Sequence, residues 1–446
     1  MKLIADLHIH SKYSRATSPD MNLAEIARWA RLKGINIVAT GDFTHPKWFA
    51  ELRKSLKSLG NGLFFCADIP DIKFMLTSEV SNIFESAGKG RKVHTCICFP
   101  ELDHVSQFND LLSKKANLSA DGRPVLSITA EETLEYVASV SANALIFPAH
   151  VWTPFFGVFG SKTGFDSLED CYGTSTKYIT ALETGLSSDP LMNWRVSALD
   201  KYALVSNSDA HSGPKLGREA NVFDLPANQA SYLALRDAIA GKDGKRFITT
   251  IEFYPEEGKY HYDGHRGCKI SQSPDESLKA KCICPVCRRR LTVGVLNRVG
   301  QLADRSESDA KNVTGTIPYI HLVPLMEILA QCLGKNPASK PVYEEYFKLV
   351  KAIGSEFAVL SADFETLSRH ANAEIADAII RAREGKIRVV PGYDGVFGVV
   401  DVTRKEDGAI VIAADAAGKG KRDEKKDNKT DKNKKIREFA LEYEQF

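Results

Sequence analysis

Leu3-Ile4-Ala5-Asp6-Leu7-His8-Ile9-His10-Ser11 carries fold and chemistry together, because an apolar run passes directly into acid, imidazole and imidazole at alternate positions. In a strand, side chains two apart share a face, so Asp6, His8 and His10 are expected to point into one pocket. The same pattern returns along the chain. Short apolar or β-branched runs at 34–40, 74–77, 93–99, 144–147, 178–182 and 202–206 alternate with helical spacing such as Leu23 to Leu32. That alternation predicts a parallel α/β sheet or barrel over residues 1–257.

The residues at the exits of these runs turn the pattern into a site. After the first run come His8 and His10, after the second Asp42 and His45, then Glu79, His150, Glu183, Asp209 and His211, with His94 the exception near the start of its run. Functional side chains of α/β barrels gather at the carboxyl ends of the strands, so residues far apart in sequence are expected at one mouth. Buried imidazoles and carboxylates in this number need pairing or metal, which points to a centre of several metals. Glu183 is a candidate for orienting a ligand from behind, or for a structural pair. The mixed His and carboxylate set suits Zn, Mn or Fe better than Mg.

The 446 residues carry a formal charge of +2 and 43% hydrophobic residues, so any preference for nucleic acid must be local. No secretory signal pattern and no apolar run near 18 residues is present, so a cytoplasmic protein with no membrane association is expected. Four of the nine cysteines, Cys268, Cys282, Cys284 and Cys287, fall in one short region. Cys284 and Cys287 form a C-x-x-C turn, and His265 with Cys268 repeats its spacing. Together they predict a structural zinc site over residues 258–305, with Cys282 or His261 as substitutes for His265. Arg288 and Arg289 follow the last cysteine as candidate phosphate contacts. Leaving His150 is a loop containing Trp152, Phe155, Phe156 and Phe159. Its rings are candidates for stacking on an extruded base, or for packing over the fold. Residues 306–400 read as a largely helical region. The lysine-rich tail from 401 to 446 is expected to be largely disordered, with a possible protein-binding end at 436–446.

Asp6-Leu-His8-Ile-His10, Thr40-Gly-Asp42, Ser78-Glu79, Val93-His94, Ala149-His150 and Ser208-Asp209-Ala-His211 resemble the successive motifs of the polymerase and histidinol phosphatase (PHP) superfamily. That resemblance implies a distorted α/β barrel and a metal-dependent phosphoesterase. It also implies that His8, His10, Glu79 and Asp209 hold one metal and that Glu79 bridges to a second held by His94 and His150. His211 would help to hold a third. The second motif departs from the usual pattern at Gly41-Asp42-Phe43, so Asp42 or His45 would have to serve there. Glu79 and Asp209 are thereby the expected catalytic carboxylates.

The later stretches, Tyr260-His-Tyr-Asp-Gly-His-Arg with its cysteines, Leu291 to Arg305, and Pro391-Gly-Tyr-Asp-Gly-Val, resemble the endonuclease Q family in the same order. Members of that family nick DNA on the 5′ side of uracil, hypoxanthine or abasic sites. The resemblance therefore implies a DNA repair endonuclease whose partner is DNA containing damaged bases. A phosphatase for a small phosphomonoester and a DNA-binding scaffold with a decayed PHP site are the alternatives.

Overall fold

The alternating runs and helices form a mixed α/β fold in a computed structural model that describes residues 2–242, 246–403 and 411–412. Strands β1 (Lys2–Asp6), β2 (Ile37–Ala39), β3 (Leu56–Ser58), β4 (Phe64–Cys66), β5 (Ile69–Ser86), β6 (Lys89–Phe99), β7 (Val125–Leu126) and β8 (Leu145–Pro148) join one sheet. Strands β9 (Ala181–Glu183) and β10 (Ala203–Val205) pair with each other, while β11 (Ala220–Asp224) and β12 (Phe247–Glu252) extend the large sheet beyond β1. With Tyr319–His321 beside β12, the large sheet has 11 strands.

Helix α1 (Leu23–Lys33) shows how local sequence sets this frame. The Asn22 side chain accepts the Glu25 N–H at 3.1 Å, capping the first turn, and Gly34 ends the helix at φ +88°. Leu23, Ile26, Ala27 and Ala30 recur at helical spacing and are buried, so the helix leads into β2 with its apolar face on the sheet. Leu7, Met75, Cys96, Phe147, Val205 and Phe223 belong to one core cluster.

The sheet is mixed rather than parallel throughout. Strands β1, β2 and β5 are parallel, but β5 and β6 form a long antiparallel hairpin from Leu76 opposite Phe99 to Ser86 opposite Lys89. The two-residue turn Ala87-Gly88 has φ of +50° and +69°, a twist suited to a tight hairpin that apolar periodicity does not reveal. The ladders also stop short of a closed barrel among the described residues. The Val151 N–H donates to Glu183 O at 3.0 Å between the ends of β8 and β9, and a single bridge joins Ile9 to Ala210.

The described residues up to Leu322, together with Pro391–Val399, form one unit, and Val323–Val390 with the described residues from Val400 form a second. The second unit is largely helical, with short strands at Arg388–Val390 and Val411–Ile412 that pair in parallel. Helices Leu325–Cys332, Lys340–Ile353 and Ala373–Arg383 bury Ile328, Leu329, Tyr346, Leu349, Ile375 and Ile379. Buried Glu356 accepts the Leu325 N–H at 3.1 Å and the Tyr346 hydroxyl at 2.9 Å. Apart from 401–403 and 411–412, the lysine-rich tail lies outside the described residues. Among the described residues no helix is long and apolar enough to cross a membrane.

Candidate metal centre

Strand β1 ends at Asp6, and the chain beyond it swings His8 and His10 toward β5. Asp6 does not join them: it accepts the Ser208 and Gly217 backbone N–H groups at 3.1 and 3.0 Å, correcting the expected three-residue face. Burial lifts its carboxyl to about 6. Glu79 on β5 and Asp209 beyond β10 complete a group with His8 and His10 whose candidate ligand atoms all lie within 4.8 Å of one another. His10 Nε2 lies 3.2 Å from Glu79 Oε2 and 3.1 Å from Asp209 Oδ1, and His8 Nε2 lies 3.5 and 3.8 Å from the same oxygens.

The other oxygen of Glu79 faces a second group. Its Oε1 is 2.6 Å from His94 Nδ1 and 3.2 Å from His150 Nε2. One fully buried carboxylate therefore divides its two oxygens between two donor sets, the arrangement a bridging ligand between two metals requires.

Supporting hydrogen bonds fix which nitrogen three of the four imidazoles present. His8 Nδ1 is 3.0 Å from both oxygens of Glu183, and His10 Nδ1 is 2.9 Å from Asp42 Oδ1. The Thr153 hydroxyl donates to His150 O, so it can accept from His150 Nδ1 at 2.8 Å. In each case Nδ1 carries the proton and Nε2 offers a lone pair to the centre. His8 Nε2, His10 Nε2 and Asp209 Oδ1 are buried without a hydrogen-bond partner among the described residues. Such orphaned atoms, converging from imidazoles and a carboxylate, fit a divalent metal.

The electrostatics are those of closely packed, buried carboxylates and imidazoles. Against full burial, His94, Arg123 and His8 hold the Glu79 carboxyl well below its ordinary range. Burial opposes charge on His8 as well, yet Glu183 and Glu79 raise its imidazole well above the usual value, so a metal binding at Nε2 would displace a proton. Asp42, His150 and Asp209 also hold positive φ of +51°, +32° and +46°. These are costly backbone conformations for such residues, of a kind that gathers at functional sites.

Several predicted site residues take other places. Asp42 faces the back of His10 and accepts the Ser11 N–H and hydroxyl, each at 2.6 Å, so it orients a ligand instead of presenting an oxygen to the centre. His45 stacks on Tyr13 with ring centres 4.3 Å apart and belongs to neither donor group. His211 packs 4.5 Å from the His10 ring at the rim and also stands outside both groups. A third set built from these residues is therefore not assembled. Trp152 and Phe159 are core residues, 1% and 2% exposed, with the indole N–H donating to Asn193 at 2.8 Å; as packed they cannot stack on a substrate. Phe155 is 46% exposed, and half-buried Phe156 lies 4.3 Å from the His94 ring.

Residues 258–302 hold a separate cluster. His265, Cys268, Cys284 and Cys287 bring their ligand atoms within 4.8 Å of one another, while Cys282 and His261 stand outside the group. Against desolvation, the Cys287 and Val286 backbone N–H groups and the His265 side chain pull the Cys284 thiol down to about 6, toward the thiolate that metal binding needs. Buried Asp263 ties together the segments around the cluster by accepting from Gly294 N at 2.6 Å and from Ser277 and Asn297. Arg288 and Arg289 are exposed beside the last cysteine.

Two contributors lacked a motif. Arg123 donates to Glu79 Oε2 at 2.9 Å from a polar loop that reads like any surface segment, and Asn207 donates to Glu183 at 2.8 Å. Glu183 itself, fully buried, holds His8, the His150 N–H and Asn207 together.

Residues 324–386 match the model of the MJ0043 C-terminal domain family. Over 419 residues the chain is 29% identical to the uncharacterized protein YqxK of Bacillus subtilis, covering 90% of this chain and 99% of that protein. It is similar to the crystal structure of the lesion-specific endonuclease PfuEndoQ from Pyrococcus furiosus at 34% identity and a TM-score of 0.78, over 90% of this chain and 95% of that one. A crystal structure of endonuclease Q with a 27-mer duplex bearing an abasic lesion at the active site is similar at 34% identity and a TM-score of 0.79, over 90% of this chain and 96% of that one.

Proposed function

The chain belongs to the endonuclease Q family, and on that premise we propose that it is a metal-dependent DNA repair endonuclease that hydrolyses the phosphodiester 5′ to a deaminated base, uracil or hypoxanthine, or to an abasic site. The observation that supports this most is the divided Glu79 carboxylate with its two donor sets. His8, His10, Asp209 and one Glu79 oxygen would hold one metal, and His94, His150 and the other oxygen a second. Bound there, divalent metals supply an activated water and offset the charge of the phosphoryl oxygens.

The rest of the chemistry falls to the chain's own groups. Glu183, Asp42 and Thr153 hold three imidazoles in the tautomer that leaves Nε2 free. Phe155 and Phe156 lie on the loop leaving His150, where a ring can stack on an extruded nucleotide. A deaminated base has lost an exocyclic amino donor and gained a carbonyl acceptor, so donor groups in a pocket can select it once flipped, and a mispaired base costs less to flip. His265, Cys268, Cys284 and Cys287 would hold a structural zinc that presents Arg288 and Arg289 to the DNA backbone.

The test uses the purified protein with end-labelled duplexes carrying one deoxyuridine, one deoxyinosine, one abasic site or no lesion, in Mg or Mn. A nick on the 5′ side of each lesion and none in the control is expected. Hydrolysis of a simple phosphomonoester with no lesion-dependent nick would move the protein to the small-substrate phosphatase class.

A further inference from the structure

We propose that Arg123 is the residue that grips the reacting phosphodiester, a role that rests on the nuclease reading above. Its guanidinium donates to Glu79 Oε2 at 2.9 Å, on the side of the carboxylate shared with His8, His10 and Asp209, and its side chain is 26% exposed. It therefore touches the centre and the solvent at once.

The backbone around Arg123 is pinned from both sides. The Gly122 N–H donates to Tyr13 O at 3.0 Å, the Arg123 N–H to Asp121 Oδ1 at 3.2 Å, and Pro124 O accepts from Ser81 N at 3.0 Å, two residues along β5 from Glu79. A Cβ at Gly122 would collide with Ser14 Oγ and Asp42, so the loop can come this close to the centre only with glycine there. Such a frame holds the guanidinium in place before any ligand arrives.

Charge balance identifies the ligand. Glu79, Asp209, Asp42 and Glu183 are the carboxylates that touch the donor sets or orient their imidazoles, and together they match two divalent cations. Arg123 then adds one positive charge beside those cations, offset only in part by Asp121 on the same loop, which also pairs with Arg15 at 3.3 Å, so an anion between the guanidinium and the cations is favoured. A phosphodiester carries one negative charge, and a guanidinium can pair with two of its oxygens at once.

Arg123→Gln and Arg123→Lys are tested on the manganese-loaded protein with bis(4-nitrophenyl) phosphate as substrate and inorganic phosphate as competing ligand, alongside bound metal by elemental analysis. Metal content is expected to stay that of the parent protein. Turnover should fall about 100-fold in the Gln variant, and phosphate affinity by about tenfold or more, with Lys between Gln and the parent. If Arg123→Gln loses metal and Lys restores it, the arginine only balances Glu79 and the proposal falls. Unchanged turnover and unchanged phosphate affinity would also overturn it. Should the parent protein cleave this small diester but no damaged DNA, the lesion reading fails while the arginine result still stands. Should it cleave neither, phosphate affinity measured by calorimetry decides.

Discussion

Replacing Glu183 by Gln removes one charge and changes one atom, yet it should weaken metal binding at a centre that Glu183 never touches directly. Both carboxylate oxygens of Glu183 lie 3.0 Å from His8 Nδ1, Oε1 accepts from Asn207 Nδ2 at 2.8 Å, and Oε2 accepts the His150 backbone N–H at 2.8 Å. The Asn207 amide cannot flip to help, because its oxygen already accepts from Leu7 N at 2.8 Å and Asn221 Nδ2 at 2.9 Å. In either orientation a glutamine NH2 therefore faces a buried donor, at a cost of about 1 to 3 kcal/mol. His8 keeps one amide oxygen at Nδ1 but loses the charged acceptor, so its proton is held there less firmly. Loss of such a supporting carboxylate typically weakens a metal site by about 10- to 100-fold. Competitive chelator titration of parent and variant would measure this, with nicking followed as metal is raised. The expected outcome is a lower metal affinity, with activity recovered at high metal. Equal affinities in the two proteins would refute the reasoning.

Asp209→Ala should abolish nicking while gel-shift binding to damaged duplex persists; retained full activity would remove Asp209 from the metal set. Trp152→Ala or Phe159→Ala should each cost about 3 to 5 kcal/mol in denaturant unfolding, whereas Phe155→Ala should leave stability within about 0.5 kcal/mol of the parent. The reverse order would mean that the loop packs differently. Burial, with the charge of Asp189, holds the Glu252 carboxyl at about 7 against an ordinary 4.5, even though Thr250 and Thr184 favour its ionised form. The folded chain keeps this proton where the unfolded chain has released it, so the contribution to stability is complete below about 4.5 and is lost as pH rises through about 7. Glu252→Gln should flatten that part of the stability profile, and an unchanged slope would contradict the assignment.

Most of the donor sets were legible in the sequence because an imidazole or carboxylate at the exit of an apolar run is conspicuous, and His8, His10, Glu79, His150 and Asp209 converge, whereas His94, near the start of its run, was marked only by the motif resemblance. Sequence could not separate a residue that faces the centre from one that faces the back of a ligand: Asp42 looks like a ligand by position and in the fold hydrogen-bonds His10 Nδ1. Trp152 and Phe159 differ from Phe155 only in the direction the loop turns, which composition does not encode. Arg123 had no apolar run before it to mark it, and the contact with Glu79 depends on how the 121–124 loop docks beside β5. The antiparallel β5–β6 hairpin escaped a reading based on alternation because Ala87-Gly88 is a weak turn signal between two long polar-ended strands.

The most direct test of the two-metal centre bridged by Glu79 is anomalous diffraction from crystals of the protein loaded with manganese. Two peaks are expected on either side of Glu79, one against His8, His10 and Asp209 and the other against His94 and His150, with a separate zinc peak among His265, Cys268, Cys284 and Cys287. A peak confined to the cysteine cluster would contradict the proposed chemistry and leave a scaffold with a decayed centre.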